Sequence, residues 1–244
     1  MTRGWQSKSF CAKENCSFSN MRNLILSRHG NTFGPGDRVF WVGAKNDLPL
    51  VEAGIAQAQK LADALVASGI TLDAIYCAPL QRTRQYAEIV KRSAHSKAPL
   101  IVEERLNELD YGQWSGLNDE EIGKRFGTKD LENWNDSGIW PAQGGWGKSE
   151  NDVIEETGSF AKELLDAYGK DASVLAVTSN GRLRMFLKLF PDIFADYSRR
   201  KMLKVATGKV CLFVEKDAGN LTLAAWNAEP MQVLALTTGL PTGN

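Results

Sequence analysis

The sequence predicts a three-layer α/β/α sandwich with a mainly parallel sheet, and three observations carry that expectation. Short apolar runs of strand character alternate with stretches of helical apolar spacing. The runs at residues 23–27 (NLILS) and 173–178 (SVLAVT) are close to continuously apolar, as strands covered on both faces are. The chain has 244 residues, 43% hydrophobic and 24% charged, enough to bury one large core in an ordinary globular protein.

The elements follow in order. Residues 23–27 form the first strand, and a Gly- and Pro-rich loop runs from there to about residue 49. Apolar residues recur at helical spacing from Glu52 to Ala67, and Ser68-Gly69 ends that helix. Residues 72–77 are a second strand, and a helix over residues 80–92 starts just after Pro79. Residues 100–102 make a short strand. A helix over residues 150–168 is closed by Gly169, strand 173–178 follows, and residues 182–190 form the next helix. Residues 205–215 and 221–226 read as a terminal strand pair joined by a turn at residues 217–220. Residues 110–149 are the least regular and hold four of the seven tryptophans, Trp114, Trp134, Trp140 and Trp146. These rings either close over a small substrate or pack as core. The polar, aperiodic residues 1–20 predict a disordered tail ahead of one domain over residues 21–244, with Met21 as an alternative start.

Composition excludes several functions. Lys plus Arg and Asp plus Glu both total 29, so no basic field exists to hold nucleic acid or an anionic membrane. No apolar run is long enough for a transmembrane helix. Two histidines, His29 and His95, are too few for a metal site built from imidazole. Cys11, Cys16, Cys77 and Cys211 contain no C-x-x-C pair, and the first residues lack the apolar core of a signal peptide. Both features predict a reduced, cytoplasmic protein.

Parallel sheets bind ligands beyond the carboxyl ends of their strands. Arg28 and His29 follow the first strand, Pro79 and Arg82 the second, and Ser179, Asn180 and Gly181 the SVLAVT strand. A neutral imidazole is a nucleophile that forms covalent intermediates. An adjacent arginine offers a planar fork of donors to a phosphate. Arg82, one turn into its helix, could reach the same oxyanion, giving a phosphate pocket that needs no metal. On spacing alone, a loop histidine beside surface arginines remains the alternative. His95 stands at a helix end and reads as a solvated residue. Gly147-Lys148-Ser149 ends like a phosphate-binding P-loop, but Ala142 stands where that motif needs glycine.

The segment Leu26-Ser27-Arg28-His29-Gly30-Asn31-Thr32 resembles the signature of the histidine phosphatase superfamily, phosphoglycerate-mutase-like branch. Asp47-Leu48-Pro49-Leu50 with Gly54, Gln57 and Ala58 is similar to the family's D-x-P-L-x-x-x-G-x-x-Q-A stretch. Ala78-Pro79-Leu80-Gln81-Arg82 resembles S-P-L-x-R, and Leu106-Asn107-Glu108 through Gly112, Trp114 and Gly116 resembles L-x-E-x-x-x-G-x-W-E-G. The similarity runs from about residue 21 to residue 226.

The resemblance implies a metal-independent phosphatase of small phosphomonoesters, with no cofactor. It implies His29 as the nucleophile that becomes phosphohistidine, and Arg28 and Arg82 as phosphoryl ligands. Asn31 matches a position that touches substrate or phosphate. Glu108 matches the acid that protonates the leaving oxygen and then takes a proton from water, with Asp110 the second candidate.

One departure matters. The family carries a second histidine in a V-V-S-H-G-G pattern. Here the segment is Val177-Thr178-Ser179-Asn180-Gly181, which puts Ser179 at that histidine and Asn180 beside it. Both are expected to offer neutral donors to the phosphate. The consequence is a weakened phosphatase, a phosphate-binding protein without turnover, or a phosphoglycerate-mutase-type transferase.

Overall fold

The computed structural model describes residues 22–217 and 220–238, so the expected tail, Met21 and the centre of the terminal turn lie outside the described residues. Six strands form one sheet: β1 (Arg22–Arg28), β2 (Ala74–Cys77), β3 (Leu100–Val102), β4 (Ser173–Thr178), β5 (Val210–Asp217) and β6 (Asn220–Ala228). Their order is β3-β2-β4-β1-β5-β6. The first four of these are mutually parallel, while β5 runs antiparallel to β1 and β6 antiparallel to β5. The long helices are α1 (Glu52–Ala67), α2 (Gln81–Ser93) and α5 (Glu150–Ala167). Shorter ones are α3 (Asp119–Phe126), α4 (Thr128–Glu132), α6 (Asn180–Lys188), α7 (Pro191–Arg199) and α8 (Pro230–Thr238).

The alternation of strand side chains builds two cores. Ile25, Ile75, Leu175 and Leu212 face one side, where Leu61 and Leu65 of α1, Val90 of α2 and Val233 of α8 cover them. Leu24, Leu26, Val174 and Ala176 face the other side, against Phe160 and Leu164 of α5 and Leu183 and Leu187 of α6. A third cluster gathers Tyr111, Trp114, Ile122 and Trp134, with Trp41, Trp140 and Trp146 packed against it. The Trp-rich region is therefore a small core of its own: Trp114 is 0% and Trp134 1% exposed. Edge-to-face contacts run from Trp41 through Tyr111 to Trp146 at 4.9 and 4.8 Å.

Two boundaries differ from expectation. β5 starts at Val210 because residues 205–208 give their polar groups to the loops rather than to a ladder. The Val205 N–H donates to Asn180 Oδ1, the Val205 carbonyl accepts from Arg28, and the Gly208 N–H donates to the carbonyls of Arg28 and His29. α6 starts two residues early, at Asn180, with Ser179 extended at its N-cap (φ −118°, ψ 168°). Among the described residues no helix is long and apolar enough to cross a membrane.

Candidate active site

The parallel strands end together, and the loops beyond them bring His29, Arg82, Glu108 and Ser179 to one end of the sheet. The pairing of Arg28 with Thr178 sets the next residues, His29 and Ser179, side by side, and the His29 N–H donates to the Thr178 carbonyl at 3.0 Å. The first loop leaves β1 tightly against α1. A Cβ on Gly30 would lie 2.4 Å from the Gly54 carbonyl oxygen, so both glycines are required by the close approach.

His29 is buried, and its Nδ1 lies 2.7 Å from the Gly30 carbonyl. A carbonyl only accepts, so Nδ1 carries the ring proton and Nε2 keeps its lone pair. Burial holds the imidazole well below its ordinary pKa, and the charges of Arg82 and Arg28 lower it further. The ring is thus neutral beside two cations.

Arg28 sends Nη1 to the Val205 carbonyl at 2.6 Å, while its Nε is buried without an intramolecular partner. Arg82 is 1% exposed and donates to the Asn46 and Gly43 carbonyls, both at 2.9 Å. The D-x-P-L segment explains how that arginine is held. Asp47 accepts the Gln81 N–H at 2.6 Å, capping α2 from outside, and Gln85 accepts the Leu50 N–H at 2.9 Å. Both arginines have lowered pKa values, burial first, with Glu108 opposing.

Glu108 is buried, and its Oε1 accepts the Leu109 N–H at 2.9 Å. Asp110 is placed differently. It pairs with Lys45 at 3.0 Å and accepts the Gly112 N–H at 3.0 Å, the work of a loop-organising carboxylate. A cavity of about 200 Å³ lies against Glu108, lined by Asn107, Asp110, Trp140, Lys148 and Arg182 among others.

Ser179 is 0% exposed, and its Oγ has no intramolecular partner. Asn180 Oδ1 accepts from the Val205 N–H at 2.9 Å. It braces the residue whose carbonyl accepts from Arg28. Asn31 is likewise tied in, with its N–H on Gln57 Oε1 at 2.8 Å and its Oδ1 accepting from the Thr207 hydroxyl. His95 adopts φ 50° at the end of α2, in a region separate from these residues.

Three site residues escape sequence reasoning. Tyr111 is buried, with its hydroxyl beside Glu108 Oε1 at the start of α6. Gly181 is the only residue type that fits against that pair, since a Cβ there would lie 2.5 Å from Glu108 Oε1 and 2.6 Å from the Tyr111 hydroxyl. Arg184, in α6, is 1% exposed, stacks on Trp134 at 4.8 Å and donates to its carbonyl. Burial lowers its pKa to about 10 against the pull of Tyr111 and Glu108. Its signal was available: a charged residue in a helix buried on every side must have a partner.

The profile of the histidine phosphatase superfamily (branch 1) matches residues 24–229. The chain belongs to that superfamily. It is 30% identical over 179 residues to a 2,3-bisphosphoglycerate-dependent phosphoglycerate mutase of Methylobacterium sp. (strain 4-46), covering 72% of this chain and 83% of that one. A protein of the same name from Parvibaculum lavamentivorans is 28% identical, with 81% and 92% covered. Among solved structures, Bacillus stearothermophilus YhfR superposes with a TM-score of 0.69 at 26% identity, over 86% of this chain and 99% of its own. The native structure of mycobacterial glucosyl-3-phosphoglycerate phosphatase shares the fold, with a TM-score of 0.69 at 22% identity over 85% and 99%.

Proposed function

We propose that this superfamily member is a metal-independent phosphomonoester hydrolase that works through a phosphohistidine at His29. The observation that carries the reading is the buried, neutral imidazole, with Nδ1 committed to Gly30 and with Arg28 and Arg82 beside it. In the first step His29 Nε2 attacks phosphorus, the P–N bond forms, and the bond to the ester oxygen breaks. Glu108 passes its proton to that oxygen. In the second step water attacks the phosphohistidine, Glu108 takes the water proton, and inorganic phosphate leaves. Arg28 and Arg82 neutralise the charge in both steps, the main requirement of phosphoryl transfer. Arg28 Nε and Ser179 Oγ, buried and unpartnered, are polar atoms that a phosphoryl oxygen would satisfy.

The test is hydrolysis of p-nitrophenyl phosphate with EDTA present, followed by intact mass of acid-quenched protein. Turnover and a labile phosphoryl adduct that disappears in His29→Ala are expected. An adduct that persists in His29→Ala refutes the assignment.

A second reading, mutase activity, draws on the names of the relatives at about 30% identity. A mutase must shield its phosphoenzyme from water and return the phosphoryl group to product. The single pocket imidazole, with a serine where the family's second stands, favours hydrolysis. Supplied with 3-phosphoglycerate, a mutase makes 2-phosphoglycerate and a phosphatase releases phosphate.

A further inference from the structure

We propose that Tyr111 is a positioning residue for the general acid, its hydroxyl holding the Glu108 carboxyl at the leaving oxygen. The inference rests on the phosphohistidine reading and adds a residue to it. The Tyr111 hydroxyl and Glu108 Oε1 lie 2.6 and 2.5 Å from one point in space, the place a Cβ on Gly181 would occupy. They therefore flank the start of α6 together, where the hydroxyl faces the carboxyl group it is proposed to hold. The Leu109 N–H donates to Oε1 at 2.9 Å. That backbone donor on Oε1 leaves Oε2 as the atom that carries the proton to and from the reaction.

Tyr111 is itself fixed. Its ring is gripped edge-to-face by Trp41 at 4.9 Å and Trp146 at 4.8 Å, and Trp41 Nε1 donates to Asp119 at 2.7 Å. The aromatic cluster beside the site thus acts on the chemistry through one hydroxyl. Burial and the Glu108 charge both push the phenol pKa well above its usual value, so this hydroxyl stays a donor through the working pH range.

Tyr111→Phe removes the hydroxyl and keeps the ring contacts, and near-UV circular dichroism checks that the cluster survives. The measurement is kcat/KM against a series from p-nitrophenyl phosphate to phenyl and alkyl phosphates, at several pH values. A good leaving group needs no proton, so p-nitrophenyl phosphate should be little affected, while alkyl phosphates should lose about ten-fold. In a Glu108→Gln background Tyr111→Phe should add no further leaving-group dependence. Wild-type turnover with an unchanged series and pH profile in Tyr111→Phe overturns this role alone. Absence of wild-type turnover on every ester overturns the phosphatase reading and the role with it.

Discussion

Gly181→Ala tests the crowding around the acid most directly. The new methyl would meet Glu108 Oε1 at 2.5 Å, the Tyr111 hydroxyl at 2.6 Å and Leu109 Cγ at 2.8 Å, where ordinary contact begins at 3.4 Å. Each must retreat by roughly 0.6–0.9 Å, and none can do so freely. Glu108 is held by Leu109, Tyr111 by Trp41 and Trp146, and Leu109 lies in the aromatic core. Overpacking of this kind costs about 1–3 kcal/mol of stability. Displacing a reacting group by about 1 Å costs on the order of 10²-fold in rate. Urea unfolding should therefore show a lowered midpoint at unchanged slope, and kcat/KM for an alkyl phosphate should fall about a hundred-fold. The p-nitrophenyl ester should fall much less, because its leaving group needs no acid. If Gly181→Ala hydrolyses alkyl phosphates at the wild-type rate, Glu108 is not the acid.

Three further outcomes are expected. Arg82→Lys keeps a charge but loses the fork that spans Gly43 and Asn46, so inhibition by vanadate should weaken by more than about ten-fold; unchanged inhibition removes Arg82 from the phosphate site. In the free protein the nitrogen NMR signal of His29, assigned with His29→Ala, should stay neutral below the ordinary imidazole pKa of about 6.5, and Arg82→Gln, which removes a cation, should raise its midpoint; a His29 that titrates normally refutes the neutral nucleophile. Ser179→His, at an extended position beside His29, should raise turnover by about ten-fold if a charged donor is what the serine lacks, while the same change at Asn180 should destabilise the Val205 loop; a Ser179→His rate equal to wild type removes that position from the reaction.

Much of this architecture is written locally. α1 and β4 have the bounds their apolar spacing implies, because α1 presents one face to the core and β4 is buried along its whole length. α8 opens directly on Pro230 with apolar residues spread around it, so it lacks the one-faced pattern that marks a helix from sequence, whereas α7 has that pattern, with Ile193, Phe194 and Tyr197 against the second core. In the site, His29 and Arg82 are legible because each follows a strand in the order that a parallel sheet imposes, and Glu108 through its resemblance to the family's L-x-E-x-x-x-G-x-W motif. Tyr111, Gly181 and Arg184 are not, since what matters about them is contact across long separations: residue 181 against residue 108, residue 184 against residue 134. Asn180 and Asn31 show the converse. Their positions beside the nucleophile are legible, but the partners that take up their amide oxygens, Val205 and Thr207, lie outside any motif.

The choice between a hydrolase and a passive phosphate binder turns on Glu108. Everything else in the pocket serves either role: Arg28 and Arg82 attract an anion, and the unpartnered Arg28 Nε and Ser179 Oγ await acceptors. Replacing an imidazolium by serine trades a charge-assisted hydrogen bond of about 1.5–3 kcal/mol for a neutral one of about 0.5–1.5, which weakens affinity and rate without removing either. A buried carboxylate beside both arginines is different. It repels a bound phosphoryl dianion and offsets the cations, so a site for binding alone is better without it. Yet this chain fastens Glu108 with a backbone donor, sets the Tyr111 hydroxyl beside it, and clears space for it with a glycine. Such an arrangement fits the proposed exchange of a proton between the carboxyl group and an oxygen that leaves or arrives at phosphorus. The geometry around Glu108, more than the histidine itself, is the argument for turnover.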